Sequence, residues 1–142
     1  MSVLKISKPV QTSSVTSARP AMIPLALEAA RRLLIEQELS TSVLAVGQIH
    51  PLNLDHFIDT RKKDFALAVT LEECSVGWGF GAEVSAVLAS SERFVHSPRL
   101  LRIGATDTII PASREAEKVT LPSDSNRVID QITSVCRRNG IL

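Results

Sequence analysis

A run of seven residues at positions 65–71 (FALAVTL) is apolar at nearly every position, odd and even alike. Side chains of a β-strand point alternately to the two faces of a sheet, so a strand with one face in water alternates polar and apolar residues. A strand that lacks this alternation has both faces covered. Such strands lie at the centre of parallel sheets that carry helices on each side. The segment therefore predicts an α/β fold with a buried central strand.

Further strands are predicted on either side of this segment. Residues 41–46 and 100–103 are short β-branched or apolar runs, and the Thr/Ser/Val stretch at 11–16 has the same character. Residues 5–9 (KISKP) are interpreted as part of a linker over 1–10 that leads into the fold.

Helices are predicted between these strands. Apolar residues at i, i+3, i+4 and i+7 predict a helix that starts near Pro20 and Pro24. A weaker helix is predicted after His50, and one of small residues over 82–89. A capping segment at Ser123, Asp124 and Ser125 starts the last helix, which Gly140 ends. The predicted core-facing residues are Ile23, Ala26, Leu27, Ala30, Leu33 and Leu34 in the first helix, Leu54, Phe57 and Ile58 in the weak one, and Val128, Ile129, Ile132, Val135 and Cys136 in the last.

The alternation of strands and helices predicts a three-layer α/β/α sandwich with a mostly parallel sheet of about five strands. The length of 142 residues suits a single domain, which we place at residues 11–142.

Composition excludes several classes of protein. The net charge of +1 and the 4% of aromatic residues argue against a nucleic-acid binder. Cys74 and Cys136 show no metal-ligand spacing, so we expect no disulfide framework and a reducing, cytoplasmic compartment. We expect no membrane span and no signal peptide at the N-terminus. In a eukaryote, the mitochondrial or plastid matrix is the corresponding compartment.

A glycine loop, GWGFG at residues 77–81, joins the central strand to the next helix. A turn of this kind can bind phosphate through free N–H groups and the helix dipole. The pattern is neither GxGxxG nor a P-loop, however. The simpler interpretation is that the glycines allow a tight turn and close packing, while Trp78 and Phe80 cover an apolar edge.

Glu72 and Glu73 end the central strand, where ligands gather in open α/β sheets. Adjacent residues of an extended chain point in opposite directions, so the two cannot act as a matched acid–base pair. We expect Glu73 to face a neighbouring loop or a partner subunit. His50, His56 and His96 do not form a ligand set, and we predict no catalytic, cofactor-binding or metal-binding residue.

Several segments together carry a resemblance. In order, they are KISKP (5–9), PLALEAARRLL (24–34), IHPLN (49–53), AVTLEE through GWGFGAEVSAVL (68–88), LLRIGATDTIIPAS (100–113) and LPSDSNRVIDQI (121–132). The chain resembles the C-terminal domain of transketolase-like thiamine-diphosphate enzymes, in particular the beta subunit of 2-oxo-acid (pyruvate-type) dehydrogenases. The motif EExxxxGGFGAEV is the most specific match. Where that motif has two adjacent glycines, Trp78 stands between Gly77 and Gly79.

The resemblance implies a five-stranded sheet with one antiparallel strand and a role in building the subunit interface. In such enzymes, thiamine diphosphate and Mg²⁺ are bound by other domains, through a GDG…N motif that is not found in this chain. It implies as partners a second copy or catalytic subunits with the thiamine-diphosphate site, and an acyltransferase core. The expected interface residues are Glu73, Gly77, Trp78, Gly79, Phe80 and Gly81. The alternative left open is a stand-alone small-ligand-binding or regulatory domain that uses the strand edge near Glu73.

Overall fold

The computed structural model describes residues 2–7, 16–17, 22–54, 65–92 and 98–142. The strands of these ranges are β1 (Ser2–Ser7), β2 (Thr16–Ser17), β3 (Ser40–Ala45), β4 (Leu67–Ser75) and β5 (Arg99–Ala105). The helices are α1 (Met22–Gln37), α2 (Gly81–Ser90), α3 (Arg114–Thr120) and α4 (Ser125–Arg138).

The described strands form one sheet in which β4 lies between β1 and β5. β4 and β5 are parallel, with Val69 opposite Leu101. β1 is antiparallel to β4, and also to β2 and β3. Four of these strands therefore run in one direction and β1 runs in the other. This confirms the predicted α/β fold. Among the described strands, the parallel neighbours are β4 and β5, because the other strands of this direction pair with β1.

The predicted linker is corrected at β1. Ser2–Ser7 pairs with β4 from Ser2↔Leu71 to Ile6↔Leu67, and Leu4 is completely buried. β1 therefore supplies a hydrogen-bonded neighbour that the central strand needs. The short run next to Pro9 carries too little periodicity to show this from the sequence.

The central strand is buried on both faces, as predicted. Every residue from Leu67 to Glu72 is buried. Leu67, Val69 and Leu71 belong to a core cluster with α1 and α4, whereas Ala68 packs with residues of α2. Alternate residues of a strand share a face, so Thr70 and Glu72 continue the α2 face of β4. One face of the strand is thus apolar, and the other becomes polar towards its carboxyl end.

Helix α1 buries only part of its predicted face, with Ile23 and Ala30 half-buried. Ala26 and Leu33 are fully buried as expected, and so is Ala29. Leu27 and Leu34, however, are 53% and 57% exposed. Leu27 and Leu34 each follow a buried residue by one position, which places them about 100° around the helix from it and away from the buried face. The prediction for Leu27 and Leu34 is wrong.

Helix α4 matches its predicted face: Val128, Ile129, Ile132 and Cys136 are buried, and Val135 is partly buried. Its first turn is capped by Asp124, whose Oδ1 accepts a hydrogen bond from the amide of Asn126 at 2.9 Å. Beyond its last turn, Gly140 takes a positive φ of 63°.

Helix α3 was not predicted from the sequence. It starts at Ser113, whose hydroxyl accepts a hydrogen bond from the amide of Ala116 at 3.3 Å. None of its residues is buried. A helix without a buried face shows no apolar periodicity, so the pattern of the sequence could not reveal it.

Some predictions fall outside the described residues. They are the strand at 11–15, the positions Phe57 and Ile58 of the weak helix, and the positions of His56 and His96. Among the described helices, none is long and apolar enough to cross a membrane.

Candidate functional site

The glycine loop joins the carboxyl end of β4 to the first turn of α2. Its turn is closed on Ser75, whose carbonyl oxygen accepts hydrogen bonds from the amides of Trp78 at 3.2 Å and Gly79 at 2.8 Å. The hydroxyl of Ser75 also accepts one from the amide of Gly77 at 3.3 Å. The backbone of the loop is therefore held by several bonds to one residue.

The two aromatic residues of the loop have different environments. Phe80 is half-buried and packs against a cluster that includes Val84 and Leu88 of α2. Trp78 is 89% exposed. The prediction that both cover an apolar edge is correct for Phe80 and wrong for Trp78. The turn thus places the largest side chain of the chain in solvent, although tryptophan is usually well buried.

A buried carboxyl group lies directly beneath this loop. Glu72 is 1% exposed, and its Oε1 accepts a hydrogen bond from the amide of Gly81 at 3.0 Å. A Cβ atom at Gly79 would lie 2.5 Å from Cδ of Glu72, and one at Gly81 would lie 2.5 Å from Oε1. Atoms that are not bonded do not approach that closely, so a side chain at either position would have to displace the carboxyl of Glu72.

Arg102 and Thr70 complete a polar cluster with Glu72. Nη2 of Arg102 donates a hydrogen bond to the carbonyl oxygen of Val76 at the start of the loop. Nε of Arg102 and Oγ1 of Thr70 lie 3.0 Å and 2.5 Å from the position of a Cβ atom at Gly81. Those two atoms and Oε2 of Glu72 are buried and have no hydrogen-bonding partner among the described residues. Three orphaned polar atoms in one place are unusual in a folded protein.

The charge of Glu72 is governed by its burial. Loss of hydration raises the pKa of this carboxyl above its usual value, because the charged form is favoured by water. The hydrogen bond from Gly81, the positive charge of Arg102 and the amide of Phe80 act in the opposite direction. Burial is the largest of these effects.

A second loop leaves the sheet beside the first, because β4 and β5 are parallel neighbours. The hydroxyl of Ser75 donates a hydrogen bond to Oδ1 of Asp107 at 3.3 Å, and the amide of Val76 donates one to the carbonyl of Ala105 at 3.5 Å. This second loop carries Ile109, which is 90% exposed, and Ile110, which is 47% exposed. We call Trp78, Ile109 and Ile110 together the loop surface.

The structure brings together most of the predicted interface residues. Gly77, Trp78, Gly79, Phe80 and Gly81 form one turn. Glu73 precedes the turn and is half-buried.

Sequence reasoning missed the cluster beneath the loop. The predictions from the sequence assign no role to Glu72, Thr70, Arg102 or Asp107. A usable signal was present, since Glu72, Arg102 and Asp107 are charged residues within two of the segments that carry the resemblance, 68–88 and 100–113.

The remaining candidates do not assemble into a site. Cys74 is exposed and Cys136 is buried, and both are free thiols. Burial raises the pKa of the Cys136 thiol to about 11. The described residues contain no group of three or more His, Cys, Asp or Glu side chains that could hold a metal ion. His50 is exposed.

A cleft of about 470 Å³ lies between α1 and α4. It is on the opposite face of the sheet from α2, and its Arg32 is bound to Glu36 at 2.6 Å and to Asn126 at 2.7 Å. It is therefore separate from the glycine loop.

Comparison with known families identifies the domain. A family model described as the C-terminal domain of transketolase matches residues 18–126, which is more than half of the chain. The chain belongs to the transketolase C-terminal domain family. The resemblance stated from the sequence is confirmed.

Relatives of this transketolase C-terminal domain are named as beta subunits. The chain is 31% identical to the pyruvate dehydrogenase E1 component subunit beta of Staphylococcus epidermidis. The alignment spans 111 residues, which are 78% of the chain and 33% of that relative. The corresponding mitochondrial subunit of Saccharomyces cerevisiae is 29% identical over 114 residues, which are 80% of the chain and 31% of that relative. The subunit of Rickettsia bellii is 31% identical over 118 residues, and the alignment covers 80% of the chain and 34% of that relative. The chain spans about a third of the length of these curated relatives.

Proposed function

We propose that this chain is a non-catalytic assembly domain of a thiamine-diphosphate-dependent 2-oxo-acid dehydrogenase, in the place of the beta subunit's C-terminal domain. The parent reaction is the oxidative decarboxylation of a 2-oxo acid. Thiamine diphosphate and Mg²⁺ belong to other parts of that enzyme. We assign the loop surface to the binding of a catalytic subunit that carries the thiamine-diphosphate site. Self-association and docking to an acyltransferase core are the other outcomes to be tested.

The exposure of Trp78 is the observation that carries this proposal. The residue is 89% exposed on a turn whose backbone is bonded to Ser75 and to Glu72. A fixed backbone lowers the entropy lost when an exposed side chain becomes buried in a partner. Tryptophan is also among the residues that contribute most to binding at protein interfaces. Ile109, on the neighbouring loop, is a second exposed apolar side chain.

The residues at the glycine loop do not suit a diphosphate group. The amide of Gly81, at the first turn of α2, is already bonded to the carboxyl of Glu72. An anion placed there would compete with that carboxyl for the same donor. The described residues also offer no cluster of ligands for Mg²⁺. The occupied amide of Gly81 therefore supports an assembly role for the loop over a diphosphate site.

The same occupied amide counts against the alternative, a small-ligand-binding domain at the strand edge near Glu73. Titration calorimetry with thiamine diphosphate, nucleotides and 2-oxo acids separates the two functions. We expect no heat of binding to the isolated chain. Micromolar binding of any of these ligands would favour the alternative.

Affinity purification of the tagged chain from its native cells tests the assembly role. We expect mass spectrometry to find a co-purifying subunit whose sequence carries the GDG…N motif, and we expect Trp78→Ala to lose it. Ile35→Ala is the matched control, because Ile35 is 66% exposed on α1 and lies outside the loop surface. Retention of the subunit by Trp78→Ala would contradict the proposal.

A further inference from the structure

We propose that Glu72 is a positioning residue which, together with Arg102, sets the orientation in which the glycine loop presents Trp78. The inference rests on the proposed function, because it assigns a role to the loop in docking. Glu72 lies beneath the loop and is not part of the exposed surface, so its role is to act through the backbone of residues 76–81.

The first step is that Glu72 takes the place of a missing helix cap. The residue before α2 is Phe80, whose backbone is already helical (φ −58°, ψ −23°) and whose side chain makes no capping bond. The first amides of a helix lack partners within the helix and are usually bonded by a polar side chain of the preceding residue. Here the amide of Gly81 is bonded instead by a carboxylate from the neighbouring strand. A negative charge at this end is also favoured by the helix dipole.

The second step is that the loop rests on the carboxyl group. Gly79 and Gly81 both lack the space for a side chain because Glu72 occupies it. Their positions in the turn are therefore matched to the volume of that carboxyl. A change in the size of Glu72 would move the loop, and a side chain at Gly79 would displace the carboxyl.

The third step is that the loop is held at both ends. Arg102 bonds the carbonyl of Val76 at its start, and Glu72 bonds the amide of Gly81 at its end. Trp78 lies between these two points. Since Glu72 and Arg102 come from β4 and β5, the orientation of the loop is tied to the sheet itself.

Glu72→Gln tests the proposal, because it keeps the size of the side chain and removes its charge. We expect the amide of Gly81 to exchange with solvent at least about tenfold faster, and the fluorescence anisotropy of Trp78, the single tryptophan, to fall. Both are measured on the full chain at a concentration at which it is free of partners. Glu83→Gln is the matched control, since Glu83 is an exposed carboxyl in the first turn of the same helix.

Unchanged exchange at Gly81 in Glu72→Gln would overturn the proposal. A similar rise at every amide of the chain would overturn it too, because that would be global destabilisation. If Glu72→Gln does not fold, Gly79→Ala provides a second route, since its methyl group meets the carboxyl. We expect it to speed exchange at Gly81, and to do so less in a Glu72→Ser background, where the space is free. Equal effects in both backgrounds would refute the contact.

These measurements are independent of docking. Should Trp78→Ala leave the partner bound while Glu72→Gln still loosens the loop, the assembly role fails and the positioning role stands. Should Trp78→Ala release the partner while Gly81 exchange is unaffected by Glu72→Gln, the positioning role fails and the assembly role stands.

Discussion

The hydroxyl of Ser75 lies 3.3 Å from Oδ1 of Asp107, and this hydrogen bond joins the loops that follow β4 and β5. Ser75 also accepts the bonds that close the glycine loop. One residue thus connects the loop that carries Trp78 with the loop that carries Ile109. The loop surface is therefore built from two segments that are about 30 residues apart in the sequence.

Asp107→Ala is expected to weaken partner binding more than it lowers stability. The bond to Ser75 is exposed, so its loss should lower the free energy of unfolding by about 1 kcal/mol or less. The second loop would lose its side-chain hydrogen bond to the first, and the position of Ile109 relative to the glycine loop would be less fixed. Urea denaturation and affinity purification measure the two effects. A stability loss well above that range with normal binding would show that Asp107 serves the fold instead.

The raised pKa of Glu72 predicts a decline of stability with pH. A carboxyl whose pKa is raised by folding binds its proton more tightly in the folded chain. Its contribution is fully present below the unfolded value of about 4.5 and is lost as the pH rises through the higher folded value. We therefore expect Glu72→Gln to lack this decline.

Urea denaturation from pH 4 to pH 8 measures the effect. As the pH rises, the free energy of unfolding of the wild type should fall relative to that of Glu72→Gln. Glu83→Gln has to keep the wild-type decline, since it leaves Glu72 in place. Parallel curves for Glu72→Gln and the wild type would contradict the prediction.

The two cysteines are expected to differ in reactivity. Cys74 is exposed, whereas Cys136 is buried and burial raises its pKa to about 11. The thiolate is the reactive form, so Cys136 should resist alkylation at pH 8. Mass spectrometry after iodoacetamide treatment should find one modified cysteine in the folded chain and two in denaturant. Rapid modification of Cys136 in the folded chain would show that α4 opens readily.

A pair of adjacent leucines tests the face that α1 presents to the sheet. Leu33→Ala should lower the free energy of unfolding by about 2–5 kcal/mol, because Leu33 is fully buried. Leu34→Ala should change it by about 0.5 kcal/mol or less, because Leu34 is 57% exposed. Thermal or urea denaturation of both variants gives the comparison. Equal losses would mean that the helix is turned as the sequence pattern had predicted.

Predictions from the sequence succeeded where one element carries its own pattern. The two-sided burial of β4 follows from its unbroken apolar run, and the buried face of α4 follows from residues such as Ile132 and Cys136 that recur with the helical period. The glycine loop was located correctly as well. The pattern of α1 was ambiguous, because apolar residues occupy more of its circumference than the sheet can cover.

Sequence by itself determined the fold class and the family of this protein, because both depend on local periodicity and on short motifs that keep their order. Only the tertiary structure decided that β1 lies beside β4 and that Glu72 lies beneath Gly79 and Gly81. These features come from hydrogen bonds and close contacts between residues that are distant in the chain or on different elements. Periodicity shows which residues are apolar, but the depth at which a carboxyl is buried depends on what the rest of the chain places over it.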